Sequence, residues 1–97
     1  MGTLFIFSKS PWIRRDMETW LPRVGENDQV MLIQDAVLAL KKGSAAGISG
    51  RLSALRGRLW ALEADLAARG LGPGGASVVD YAGAVELIAQ ARRVLAL

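Results

Sequence analysis

Gln29-Val-Met-Leu-Ile-Gln34 sets four apolar residues in a row between two glutamines. A strand with one wet face alternates apolar and polar residues; an unbroken run needs apolar cover on both sides. Thr3-Leu-Phe-Ile-Phe7 is a second run of this kind. Strands buried on both faces belong to parallel sheets, where crossover helices supply the cover. Arg58-Leu-Trp-Ala-Leu-Glu63 reads as a third strand and Ala76-Ser-Val-Val-Asp80 as a short fourth.

Helical signals fall between these runs. Ser10-Pro11 is a start signal with a mechanism: a serine hydroxyl accepts an orphan N–H, and proline has none to lose. The spacing of Ile13, Met17, Trp20 and Val24 predicts one apolar stripe on a helix from Pro11 to about Val24, its last turn disturbed by Pro22. Asp35 is placed to cap the next turn. Ala36 to Lys42 follows as a helix, with Gly43 at its left-handed end. Gly43 to Gly50 is small and flexible in composition and reads as a surface loop, and Ser49 is a candidate cap for a short helix ending near Gly57. Glu63 to Arg69 reads as a helix stopped by Gly70. Residues 83–96 form a closing helix, with Ala84, Ile88, Ala91 and Leu95 on one face and Glu86, Gln90 and Arg93 on the other. The expected fold is a three-layer α/β/α domain over residues 1–97 with a mostly parallel four-stranded sheet.

Composition limits the chemistry. The 97 residues contain no cysteine and no histidine. Thiolate nucleophiles, disulfides and zinc thiolate sites are excluded, and so is the commonest general base. The apolar share is 52% and the charged share 22%. Either the core is packed tightly or apolar surface is reserved for partner subunits. The net charge of +3 is spread over Arg14-Arg15, Lys41-Lys42, Arg92-Arg93 and a looser group at Arg51, Arg56 and Arg58. Solvated faces account for that pattern, with a phosphate track as the alternative. No apolar run has a membrane-spanning length and no signal-type segment opens the chain, so the expected location is the cytoplasm, with no membrane contact. There is no P-loop, dinucleotide fingerprint or acid-rich metal motif, and no cofactor or metal is expected.

In open α/β sheets ligands sit outside the carboxyl ends of the strands. Those ends carry Ser8, Ser10, Gln34, Asp35, Glu63, Asp80 and Tyr81. Asp35 and Asp80 invite comparison with a catalytic carboxylate pair, but helix capping explains both. Glu63 and Asp65 open a helix, where negative charge is favoured. Tyr81 either donates a hydrogen bond in a pocket or anchors the last helix. Among the tryptophans, Trp20 is a core or interface residue, Trp12 an interface or pocket candidate, and Trp60 core.

Four segments in order resemble the DsrH/TusB family of sulfur-relay proteins. They are Ser8-Lys-Ser-Pro-Trp12, Val30-Met-Leu-Ile-Gln-Asp-Ala36, Leu59-Trp-Ala-Leu-Glu-Ala-Asp-Leu-Ala-Ala-Arg-Gly70 and Val78-Val-Asp-Tyr-Ala-Gly-Ala-Val-Glu-Leu87. The resemblance implies a DsrE-like fold. It also implies a place as the smallest of three homologous subunits, beside DsrE/TusD-like and DsrF/TusC-like partners, in a hetero-oligomer that passes persulfide sulfur. In one branch of the family the sulfur serves 2-thiolation of the tRNA wobble uridine, and in another sulfur oxidation. Members in sulfur oxidisers carry a cysteine in the first helix; Trp20 stands at that position here, and tryptophan cannot accept sulfane sulfur. The expectation is a non-catalytic subunit. The alternative is a homo-oligomeric module that binds a small ligand or tRNA outside the relay.

Overall fold

In the computed structural model, which describes residues 2–41 and 46–97, the apolar runs become strands. β1 is Thr3–Phe7, β2 Gln29–Leu32, β3 Leu59–Leu62 and β4 Ser77–Val79. A fifth strand, β5, spans Arg93–Ala96. The sheet order is β4-β3-β2-β1-β5, and every neighbouring pair is parallel. The sheet is therefore five-stranded, not four-stranded.

β5 corrects the reading of a closing helix through residue 96. The last helix, α4, spans Tyr81–Gln90, and Ala91 after it is extended at ψ 139°. Helical periodicity does continue past that point. But β1 offers an open edge, and Thr3 to Ile6 takes Arg93 to Ala96 in register. Pairing the backbone of β1 outweighs the weak local preference. Ile88 is 43% exposed, so the inward face of α4 runs through Ala84 and Leu87 to Ala91, not through Ile88 and Leu95.

The first helix is also shorter than its stripe suggests. Ser10 is buried and its hydroxyl accepts the Trp12 N–H at 3.2 Å, while its carbonyl accepts Ile13 and Arg14. That is a separate turn. Arg15, at φ −96° and ψ 20°, breaks the chain away from helical geometry, and α1 then spans only Asp16–Trp20. Leu21–Arg23 continues as a 3-10 turn carrying Pro22, whose ring nitrogen cannot extend the ladder. Ile13 is exposed, off the stripe. Met17 is buried, and Trp20 and Val24 pack at the margin of the core.

Gln34–Leu40 is a 3-10 helix whose N-cap is Ile33, with no capping side chain of its own, so Asp35, inside the first turn, is not the cap. α2 spans Ala46–Ser53, which places Ser49 inside the helix and not at its start. Gly43 lies outside the described residues. α3 is Glu63–Ala68, followed by Gly70 at φ +63°, the stop that was expected.

The two faces of the sheet are covered unequally. Phe5, Phe7, Val30, Leu32, Leu59 and Ala61 face α1, α2, α3 and the 3-10 helix. Leu4, Ile6, Met31 and Leu62 face α4 alone. Handedness explains this. Steps from β1 to β4 all advance in one direction, so right-handed crossovers put their helices on one face. The step from β4 to β5 runs backward across the whole sheet, so its helix must lie on the other.

Candidate functional site

Because all five strands are parallel, their carboxyl ends share one rim. Along it lie Asp80 after β4, Glu63 after β3, Gln34 and Asp35 after β2, and Ser8 after β1. Neighbouring strands are about 4.8 Å apart, so Asp35 and Asp80, two strands apart, are separated by about 10 Å. Their partners differ: Asp35 meets Arg69 and Asp80 accepts the Gly83 N–H.

Each rim residue has a local task. Asp80 is the N-cap of α4, and its Oδ1 accepts the Gly83 N–H at 2.8 Å. Asp35 receives the guanidinium of Arg69 at 2.8 Å. Ser8 donates its hydroxyl to the Leu97 carbonyl at 2.9 Å, fastening the end of β1 to the residue after β5. Glu63 opens α3 and is exposed. Tyr81, at the first position of α4, is 66% exposed and Trp12 57%; neither anchors the core. Among the described residues there is no group of three or more carboxylates that could hold a metal ion.

The tryptophans divide by depth. Trp20 is partly buried at the edge of the larger core, with the Arg23 guanidinium 5.2 Å from its ring centroid. That packing is a cation–π contact on a side chain otherwise committed to the interior. Trp60 is also partly buried, on the α4 side of the sheet, and its Nε1 donates to Gln29 Oε1 at 2.6 Å.

One cluster at the rim was not foreseen. Gln34 sits at φ +50°, a backbone region that residues with a Cβ rarely occupy. Its N–H donates to Asp65 Oδ2 at 2.6 Å. Arg69, one turn along from Asp65, donates to the Asp65 carbonyl at 3.0 Å and reaches Asp35. Asp65 and Arg69 are thus a clamp from α3 onto the turn after β2. The i, i+4 spacing of Asp65 and Arg69 was visible, but nothing local says which turn they would grip.

The opposite rim holds a cavity of about 230 Å³, beneath the starts of β3 and β4. Lys41, Ser49, Ser53, Arg56, Gly74 and Gly75 are in its wall, and no carboxylate is. Gly74, at φ +53°, packs so closely that a Cβ there would meet the Leu40 carbonyl oxygen at 2.8 Å. The basic residues were noted in the sequence as scattered charges; only the fold brings Lys41 to Arg56.

A family model described as "DsrH like protein" matches residues 9–94. No curated protein matches the chain in sequence. Among solved structures the fold is similar to that of the ychN protein from E. coli, with a TM-score of 0.71 and 17% sequence identity over 100% of both chains. At that identity the likeness speaks for the fold. It agrees with the DsrE-like α/β architecture expected from the four motifs.

Proposed function

This chain belongs to the DsrH-like protein family, and from that premise we propose that it is a non-catalytic subunit of a DsrEFH/TusBCD-like sulfur-relay complex. Its task there is to bury apolar surface against homologous DsrE/TusD-like and DsrF/TusC-like subunits and to hold the persulfide-carrying one in place. The sulfur leaves toward tRNA wobble-uridine 2-thiolation or enters sulfur oxidation.

The observation that carries this reading is the outer face of α4. Tyr81, Val85 and Ile88 are 66%, 65% and 43% exposed and recur at i, i+4 and i+7, one stripe on the solvent side of the helix. The inner side already fills the core with Ala84 and Leu87. Polar residues on α4 are confined to Glu86 and Gln90, and a second apolar stripe beside the one that fills the core is expected to be covered by a partner. Persulfide transfer requires a thiolate, and a chain without cysteine leaves that step to its partners. Trp20 packs at the core margin where sulfur-oxidiser members of the family carry a cysteine.

Co-expression with DsrE- and DsrF-type subunits tests the proposal. The chain is expected to co-elute with them, and the double substitution Val85→Asp, Ile88→Asp to abolish co-elution while leaving the urea midpoint of the isolated chain nearly unchanged. Consistent elution of the unaltered chain as a monomer would refute it. Sulfur label appearing on the chain after incubation with a cysteine desulfurase would refute the non-catalytic role.

A further inference from the structure

We propose that the cavity at the amino rim of the sheet is a binding site for a phosphate group. It draws on residues distant from the carboxyl rim and does not depend on which assembly the chain joins.

The wall has the composition such a site needs. Lys41 closes the 3-10 helix, and Arg56 lies in the turn between α2 and β3; both cations border one concavity. Neither is within salt-bridge distance of a carboxylate among the described residues. Arg69, by contrast, is engaged with Asp35 and Asp65. An ammonium and a guanidinium that border one concavity without a carboxylate in its wall both attract a doubly charged oxyanion placed there. The guanidinium offers a planar fork and the ammonium a point charge, the two usual means of holding phosphate oxygens.

Neutral donors stand beside the two cations, and Ala39, Leu40, Leu52 and Leu59 line the rest of the wall. Ser49 and Ser53 are four residues apart on α2, so their hydroxyls lie on one face of the helix. Opposite them runs the turn through Gly74 and Gly75, at φ +53° and +93°. The amide N–H groups of these two glycines have no acceptor among the described residues. Gly74 is fixed against Leu40, so this side of the cavity is backbone and not a mobile side chain.

Size sets the class of ligand. Pockets for drug-sized molecules run from about 300 to 1,000 Å³, and this one is about 230 Å³. It suits one phosphate group with some of its water, not a whole nucleotide. The group can belong to a small phosphorylated molecule or to the backbone of a single-stranded RNA; both present the same oxyanion.

The test uses the full chain, with inorganic phosphate and a short single-stranded RNA as probes, each at constant ionic strength against chloride. Backbone amide chemical shifts are followed. Phosphate is expected to move the resonances of Lys41, Ser49, Ser53, Arg56, Gly74 and Gly75. Lys41→Ala and Arg56→Ala are each expected to weaken binding at least tenfold, while Arg56→Lys weakens it less. If RNA shows this pattern and free phosphate does not, the site is assigned to the nucleic-acid backbone. In that case each alanine variant lowers the slope of log affinity against log salt by about 0.7. If phosphate shows it and RNA does not, the ligand is a small phosphorylated molecule. Shifts spread equally over Arg14, Arg15, Arg92 and Arg93, affinity unchanged from that of the unaltered chain in either alanine variant, or no binding by either probe would overturn the proposal. Both substituted side chains are exposed, and an unchanged urea midpoint shows that the variants are folded.

Discussion

Asp65→Ala tests the clamp at the carboxyl rim. The substitution removes the acceptor of the Gln34 N–H, a 2.6 Å bond to a carboxylate whose side chain is 19% exposed. Hydrogen bonds to charged groups contribute about 1.5–3 kcal/mol, and the Gln34 side of this one is open to water, which favours the lower end. The Asp65–Arg69 ion pair, at 3.7 Å, adds no more than about 0.5 kcal/mol at a surface. Part of the loss returns as Gln34 leaves φ +50°, a conformation that costs a residue with a Cβ about 1–2 kcal/mol. The net expectation is about 1.5 kcal/mol. At about 4–8 °C per kcal/mol for a domain of this size, the midpoint of thermal unfolding falls by about 6–12 °C. Urea unfolding followed by tryptophan fluorescence gives the free energy directly, with an unchanged slope if the unfolded state is unaffected. The acceptor faces the backbone N–H and not the glutamine side chain, which yields a sharper requirement. Asp65→Ala should cost only about 0.5 kcal/mol more in a Gln34→Gly background, where there is no left-handed strain to release, although the two residues touch. Gln34→Gly alone should be nearly neutral, since release of the left-handed strain offsets the added freedom of glycine in the unfolded chain. A loss below about 0.5 kcal/mol for Asp65→Ala, or a coupling above about 1 kcal/mol between the two sites, would refute the clamp as described.

Two further outcomes follow from the same geometry. Gly74→Ala puts a Cβ 2.8 Å from the Leu40 carbonyl at a positive φ and should destabilise the chain by about 2 kcal/mol or more in urea, with loss of any phosphate-induced amide shifts. Asp80→Ala removes the cap of α4 and should cost about 1 kcal/mol, with Asp80→Asn recovering most of it.

The three inner strands, β1, β2 and β3, were legible because a strand buried on both faces leaves a continuous signal; β4 is an edge strand with Ser77 and Val78 exposed and showed only as a short run. Glu63–Ala68 was legible from its charged first turn and glycine stop. β5 was not. Arg93-Val94-Leu95-Ala96 pairs with the first strand of the chain, and no local pattern near residue 93 refers to residue 3. The Ser10-Pro11 signal was read correctly as a cap but assigned to the wrong element, since a hydroxyl that closes an isolated turn looks the same in sequence as one that opens a helix. Among the rim residues, Asp80 was legible because capping is local. Asp35 was not, because its partner Arg69 lies 34 residues away and is set beside it only by the packing of α3 on the turn after β2. The basic cavity was illegible for the same reason: Lys41, Arg56 and Gly74 are neighbours only in three dimensions.

The bond from Ser8 to Leu97 joins residues 89 positions apart. That span has a consequence for the order in which the molecule forms. β1, β2, β3 and β4 can assemble by successive neighbouring crossovers, each closing a modest loop. β5 must wait for α4 to traverse the sheet before it reaches β1, and such distant closure is slow. Throughout that delay β1 presents an unpaired edge, and Leu4, Ile6 and Met31 lack their only helical cover. An exposed edge beside bare apolar surface is the arrangement that joins chains to one another. The nascent domain is therefore most open to a wrong partner along the very strand that its final segment will close.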